Sequence, residues 1–270
     1  MNPTLVLSPA VLAAQKSGTP IVALESTIIT HGMPYPQNYE TAASVEQVVR
    51  DNGGEPATIA IMNGKIHIGL TDDELQTLAQ TPDAMKLSRA DLAACLAMGH
   101  TGATTVAATM ICAEMAGIKV FATGGIGGVH RGADQSFDIS ADLAEFSHSN
   151  VTVVAAGAKA ILDIAKTLEV LETNGVPVIT YGADAFPAFW SRDSGLPSPL
   201  RMDTAAEIAA AHAKRQSLGL RGGQLIGNPI PLDAELSAEY LNPIIQSIQQ
   251  LVITFERELT ISLRMIGSSI

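Results

Sequence analysis

Short apolar runs alternate with longer amphipathic stretches along most of this chain, and that alternation predicts its fold. Ile21-Val-Ala-Leu24 has the length and composition of a buried strand. A loop containing His31-Gly-Met-Pro-Tyr-Pro36 follows. Residues 38–52 then place apolar side chains at helical spacing until Gly53-Gly54 stops them. Ala57-Thr-Ile-Ala-Ile-Met62 and Lys65-Ile-His-Ile-Gly69 flank Asn63-Gly64, a two-residue turn signal that predicts a hairpin. Thr71 and Glu74 form a capping box at the start of the next helix.

Further along, helices are expected over residues 88–98, after Thr104-Thr105, and from Asp203 to about Ser217. Strands are expected at Lys119-Val-Phe-Ala-Thr123, Val151-Thr-Val-Val-Ala155 and Pro177-Val-Ile-Thr-Tyr181, with a Pro- and Ser-rich loop over residues 186–201; Gly223-Gln-Leu-Ile-Gly-Asn-Pro-Ile-Pro231 is given no element. Strands alternating with helices predict an α/β fold: a mixed, largely parallel central sheet flanked by helices, with a small hairpin insertion. No repeat or linker divides residues 1–250, which are expected to form one domain. Residues 251–270 lose the Ala-rich character of the preceding helices and read as an atypical tail.

Composition narrows the class. Hydrophobic residues make up 47% of the chain and aromatics only 4%, with 23 glycines, so Ala, Val, Ile and Leu build a tightly packed core. The net charge of −11 argues against a broad nucleic-acid or anionic-membrane surface, but permits a small anion in a local basic pocket. Cys95 and Cys112 form neither a CxxC pair nor a disulfide framework, and are expected to be buried free thiols in a reducing compartment. No segment has the roughly 18 apolar residues of a membrane span, and no leader is evident, so a cytoplasmic location is expected.

Several positions carry chemistry. Lys159 follows a strand and a glycine break, at the carboxyl end where open α/β sheets bind ligands. The spacing places it in the first turn of a helix, whose dipole would disfavour the ammonium and favour a nucleophilic amine. The alternative is a lysine snorkelling from a helix face. Glu25 emerges directly from an apolar strand, where desolvation would push a carboxyl into the general-acid range; otherwise it caps a loop or pairs with an arginine.

The loop Thr123-Gly-Gly-Ile-Gly-Gly-Val-His-Arg-Gly132 offers backbone N–H groups to an anion. It has His130 where a dinucleotide fingerprint needs its third glycine, and the bland reading is a turn of positive φ. In an extended stretch Asp138, Ser140 and Asp142 would share a side and suit a hydrated divalent cation; ordinary capping by Asp142 and Glu145 competes with that. Lys86 and Arg89, and the hydroxyls of Thr104 and Thr105, suit a phosphate, or are simply solvated. The remaining histidines have no ligand spacing.

Taken together, Ala23-Leu-Glu-Ser-Thr-Ile-Ile-Thr-His-Gly-Met-Pro-Tyr-Pro-Gln-Asn38, the glycine-rich loop, Phe137-Asp-Ile-Ser-Ala-Asp-Leu143 and Ala156-Gly-Ala-Lys-Ala-Ile-Leu-Asp163 resemble the pseudouridine-5'-phosphate glycosidase family over about residues 5–245. The resemblance implies cleavage of the C–C glycosidic bond of pseudouridine 5'-phosphate to uracil and ribose 5-phosphate. It implies Lys159 as nucleophile, Glu25 as proton donor, and Asp138 as ligand to a divalent metal, Mn2+, largely through water. Lys86, Val106, Ser140, Ala141 and Asp142 would contact the substrate, with Thr105 and His130 near the pocket. It also implies a homotrimer.

The tail departs from the family, whose members continue through a Thr-Pro-Phe-Leu-Leu-like helix and an Asn-containing segment that this chain lacks after about Gln250. Two other readings follow: a different Schiff-base phosphosugar lyase, or an inactive phosphosugar-binding homologue.

Overall fold

The strand pattern resolves into one eleven-stranded sheet in a computed structural model that describes residues 4–247 apart from 238, 242 and 246. In chain order the strands are β1 (Leu5–Leu7), β2 (Ile21–Leu24), β3 (Glu55–Met62), β4 (Lys65–Ile68), β5 (Met85–Leu87), β6 (Gly102–Thr104) and β7 (Val120–Ala122). They continue as β8 (Val129–His130), β9 (Thr152–Ala155), β10 (Leu162–Asp163), β11 (Val178–Tyr181), β12 (Leu200–Met202) and β13 (Gln224–Gly227). The main path runs β1-β4-β3-β2-β7-β9-β13-β11-β12, and β6 joins β3 to β5. Within this sheet only β3–β4 and β3–β6 are antiparallel; every other pairing is parallel. β8 and β10 make a separate two-stranded ribbon.

Parallel strands need crossovers, and the helices that supply them cover both faces. Adjacent residues of one strand show this directly, because successive side chains point to opposite sides. Val178 and Leu225 enter the main core with Phe121, Val153 and the Val106–Met115 helix. Ile179 and Ile226, one residue on, pack instead beneath Ile208 of the Ala205–Ser217 helix. Cys95 and Cys112 are free and buried, and burial pushes the Cys112 thiol up to about 12, so it stays protonated.

The expected hairpin is present: Asn63 and Gly64 both have positive φ, and Met62 pairs with Lys65. The Thr71–Glu74 capping box is formed as well. β1, β5 and β12 are three-residue strands that pattern reading passed over, being too short to show a period. No helix among the described residues is long and apolar enough to cross a membrane. The atypical tail, 251–270, lies outside the described residues.

Candidate active site

Chain order reverses at β2: β3 continues the sheet on one side and β7 on the other. Such a switch point opens a crevice beyond the carboxyl ends of the strands. Glu25 leaves β2 there, and Thr123 leaves β7 beside it and donates its hydroxyl to Glu25 Oε1 at 2.5 Å. The partner of Glu25 is therefore a threonine, not an arginine. Behind it, Ser26 Oγ donates to the carbonyl of Ile59 and accepts from the N–H of Thr104. Thr27 Oγ1 donates to the Thr104 carbonyl. These bonds hold the Glu25 turn to β3 and β6.

The loop after β9 is zipped to the glycine-rich loop after β7. Ala156 N–H donates to Gly124 O, Ile126 N–H to Gly157 O, and Lys159 N–H to Ile126 O, at 3.0–3.1 Å. Lys159 is thus delivered to the same crevice with its side chain exposed. It does not sit in the first turn of a helix, which corrects that expectation. Gly157 has φ +110, and a Cβ there would lie 2.2 Å from the carbonyl oxygen of Pro187. The chain makes a further turn, and the helix begins only at Ile164, capped by Asp163. What brings Lys159 to the site is its loop rather than a helix dipole.

The Glu25 carboxyl is held above its ordinary value, mainly because burial disfavours its charged form. The Thr123 hydrogen bond and the cations Lys159 and Lys86 oppose that rise, while Asp142 adds to it. Glu25, Lys86, Asp142 and Lys159, drawn from four separate parts of the sequence, therefore share one electrostatic environment. Lys86, on β5, is exposed. Arg89 is not its partner in binding: Nε and Nη2 grip the buried Glu145 carboxylate at 2.6 and 2.8 Å.

Part of the glycine-rich loop spends its amides inside the fold. The N–H groups of Thr123, Ile126, Gly127, Val129 and His130 already have protein acceptors. Positive φ is not the reason for Gly127, which is absent from the left-handed residues; a Cβ there would lie 2.2 Å from Ser140 Oγ. The glycine permits close approach.

Ser140 Oγ and Asp142 Oδ2 converge on Gly127, where a Cβ would lie 2.2 and 2.6 Å from them, whereas Asp138 stands apart in solvent beside His130. Ser140 is the N-cap of the Ala141–Glu145 helix, so the cap is Ser140 rather than Asp142. Ala141 is exposed beside it. Asp142 is only 5% exposed, and its Oδ1 accepts from Ala107 N–H at 2.9 Å, its Oδ2 from Gly127 N–H at 2.8 Å. That carboxylate bridges the start of the Val106–Met115 helix to the glycine-rich loop. Val106, the first residue of that helix, is buried, and Thr105 caps it.

Replacing Asp142 by Ala strands two N–H donors, that of buried Ala107 and that of partly buried Gly127, each worth about 1–3 kcal/mol. A fall in melting temperature on the order of 10 °C is expected, measured by calorimetry.

Asp138 has a side chain 63% exposed, with His130 Nδ1 3.7 Å from its Oδ2. No group of three or more His, Cys, Asp or Glu side chains poised for a metal occurs among the described residues. A single open carboxylate fits a hard cation that keeps most of its waters and does not fit a metal that needs a protein cage.

A family model described as indigoidine synthase A like protein matches residues 10–256. A pseudouridine-5'-phosphate glycosidase of Jannaschia sp. is 68% identical over 249 residues, covering 92% of this chain and 82% of that one. The chain belongs to the pseudouridine-5'-phosphate glycosidase family. Its relative of that name from Paracoccus denitrificans is 65% identical over 91% of this chain and 82% of that one.

Among solved structures, the prealnumycin C-glycosynthase AlnA in complex with ribulose 5-phosphate has a TM-score of 0.87 at 39% identity, over 96% of this chain and 83% of that one. An indigoidine synthase A-like protein from Thermotoga maritima has a TM-score of 0.79 at 32% identity, over 85% and 77%. The α/β sheet of this family member is therefore the family's fold. Pattern reading named Glu25 and Lys159 but gave no role to Thr123; its place at a strand end beside the glycine-rich loop was the available signal.

Proposed function

We propose that this protein splits the C–C glycosidic bond of pseudouridine 5'-phosphate, reversibly, into uracil and ribose 5-phosphate. The observation that carries the reading is a carboxyl of raised pKa and a solvent-reachable lysine in one crevice, in a chain 68% identical to a glycosidase of that name. A C-glycoside has no heteroatom lone pair at the bond to be broken, so the two-carboxylate route of O-glycosidases is closed to it. An amine offers another route.

In this reading the neutral Lys159 amine attacks C1', forming a C–N bond as the C1'–O4' bond breaks. Glu25 delivers its proton to the departing ring oxygen. The ammonium so formed returns a proton to the Glu25 carboxylate, which passes it to uracil C5; the C1'–C5 bond then cleaves with its electron pair moving into the base while the freed nitrogen lone pair forms C1'=N. Water hydrolyses this Schiff base, releasing ribose 5-phosphate and the free lysine. Thr123 orients the Glu25 carboxyl.

Lys86, Val106 and the Ser140–Asp142 turn receive the substrate. Lys86 supplies positive charge for the phosphate, and the Ser140 turn is held in place by Asp142. Asp138, with waters, is the residue that would hold a divalent cation, Mn2+, which would help neutralise the phosphate when bound. We further propose a homotrimer, as the family resemblance implies; light scattering measures it.

Incubation with pseudouridine 5'-phosphate should release uracil and ribose 5-phosphate, quantified by chromatography. Absence of both products, with folded protein and Mn2+ supplied, would refute the assignment. Removing divalent cations with EDTA should slow turnover by at least about tenfold, with recovery on adding Mn2+; Asp138→Ala should reproduce the loss without recovery.

A further inference from the structure

Beside the two catalytic candidates stands an aromatic residue that the mechanism leaves unused. Phe189 lies in the Pro- and Ser-rich loop after β11 and has φ +66, a left-handed conformation unfavourable for a bulky side chain. Its backbone is fixed there. Phe189 N–H donates to Ala156 O at 2.8 Å, and Ala188 N–H donates to Ser191 O at 2.8 Å across the turn. Ser191 Oγ donates to the Leu236 carbonyl. Strain held by so many bonds points toward a use for the side chain.

The ring lies on the glycine-rich loop. A Cβ at Gly125 would come within 2.6 Å of Phe189 Cδ2, and one at Gly124 within 3.7 Å of Cε2. Gly125 does not have positive φ, so its glycine serves the approach of this ring. Gly124 follows Thr123, which binds Glu25, and Ala156 precedes Lys159 by three positions. The ring therefore stands between the strand ends that carry the proton donor and the nucleophile. It is only half-buried, and Trp190 meets it edge-on, with centroids 4.8 Å apart at 81°.

We infer that the Phe189 ring is a wall of the nucleobase subsite, stacking on the planar base while the phosphate end is held at Lys86 and the Ser140 turn. This rests on the function proposed above. Stacking on an aromatic ring selects for a flat heterocycle without requiring a particular hydrogen-bond pattern.

Trp190 is the only tryptophan in the chain and touches the ring, so its fluorescence reports the subsite. In a Lys159→Ala background, which prevents turnover, pseudouridine 5'-phosphate should change Trp190 emission and ribose 5-phosphate should not. Phe189→Leu in that background should weaken pseudouridine 5'-phosphate binding about 5- to 100-fold by calorimetry, the range of base–aromatic stacking. Ribose 5-phosphate affinity should move less than about twofold, and Phe189→Tyr should restore the tighter binding.

Equal weakening of both ligands, or no change in either, overturns the inference. If Phe189→Leu does not fold, seen as lost ribose 5-phosphate binding, Phe189→Tyr and the Trp190 signal decide it: an emission change identical for both ligands overturns it. Failure of either ligand to bind the parent protein would instead remove the proposed function, and this inference with it.

Discussion

Lys159→Ala is expected to lower the rate of pseudouridine 5'-phosphate cleavage by at least about a thousandfold, the scale seen when a covalent nucleophile is removed. The loss should be chemical rather than structural. The side chain is exposed and makes no bond that holds the fold among the described residues, so the melting temperature should stay within about 2 °C of the parent's. Lys159→Arg should fail equally, because a guanidinium stays protonated and offers no free amine. Borohydride added during turnover should reduce the Schiff base and fix a ribose 5-phosphate remnant on the protein. Peptide mapping should place it at Lys159. A variant with turnover near that of the parent, or an adduct mapped elsewhere, would end the amine mechanism.

The second large effect falls on Glu25. Glu25→Gln keeps the shape and a partner for Thr123 but removes the proton to be donated, and should cut the rate about 10²- to 10⁴-fold. The parent should lose activity as pH rises through the raised pKa of Glu25, since only the protonated form donates; the variant's residual rate should lack that limb.

The sign of the stability effect is opposite to the catalytic one. The folded carboxyl binds its proton more tightly than the unfolded one, whose value is near 4.5, so stability falls as pH rises from there through the folded pKa. Glu25→Gln removes that penalty. It should melt higher than the parent at pH 8, with the difference shrinking to nothing near pH 4. Scanning calorimetry across that range checks it, and a lower melting temperature at pH 8 would contradict the burial of a charged carboxylate.

A site residue that destabilises its own fold is a common mark of function. Asp142 is the contrasting case. It lies near Glu25 electrostatically, yet both its oxygens are spent on backbone N–H groups, so its loss should cost stability first.

Much of the site was legible along the chain because strand ends announce themselves. Ile21-Val-Ala-Leu24 stops at Glu25, and Val151-Thr-Val-Val-Ala155 stops short of Lys159; in a parallel sheet both strand ends face the same crevice. Where sequence and structure differ, the decisive contact is distant in sequence. Sequence spacing puts Lys159 on a helix because no local signal reveals that Pro187 crowds Gly157. Asp138, Ser140 and Asp142 alternate in sequence, but the alternation ends where Ser140 caps a helix. Arg89 and Lys86 look alike in a basic cluster until Glu145, fifty-six positions away, claims one of them.

By itself the sequence determined the α/β alternation, the hairpin at Asn63-Gly64, the family and the residues most suited to chemistry, because these follow from hydrophobic period, turn stereochemistry and long matching motifs. Only the tertiary structure decided which strands are neighbours, and so that Glu25 meets Thr123 and Lys159 across β2, β7 and β9. It also decided that Asp142 is a bridge and that Phe189 leans on Gly125. Period and propensity are properties of a few consecutive residues, whereas desolvation, close approach and the sharing of hydrogen-bond partners depend on segments that folding alone brings together.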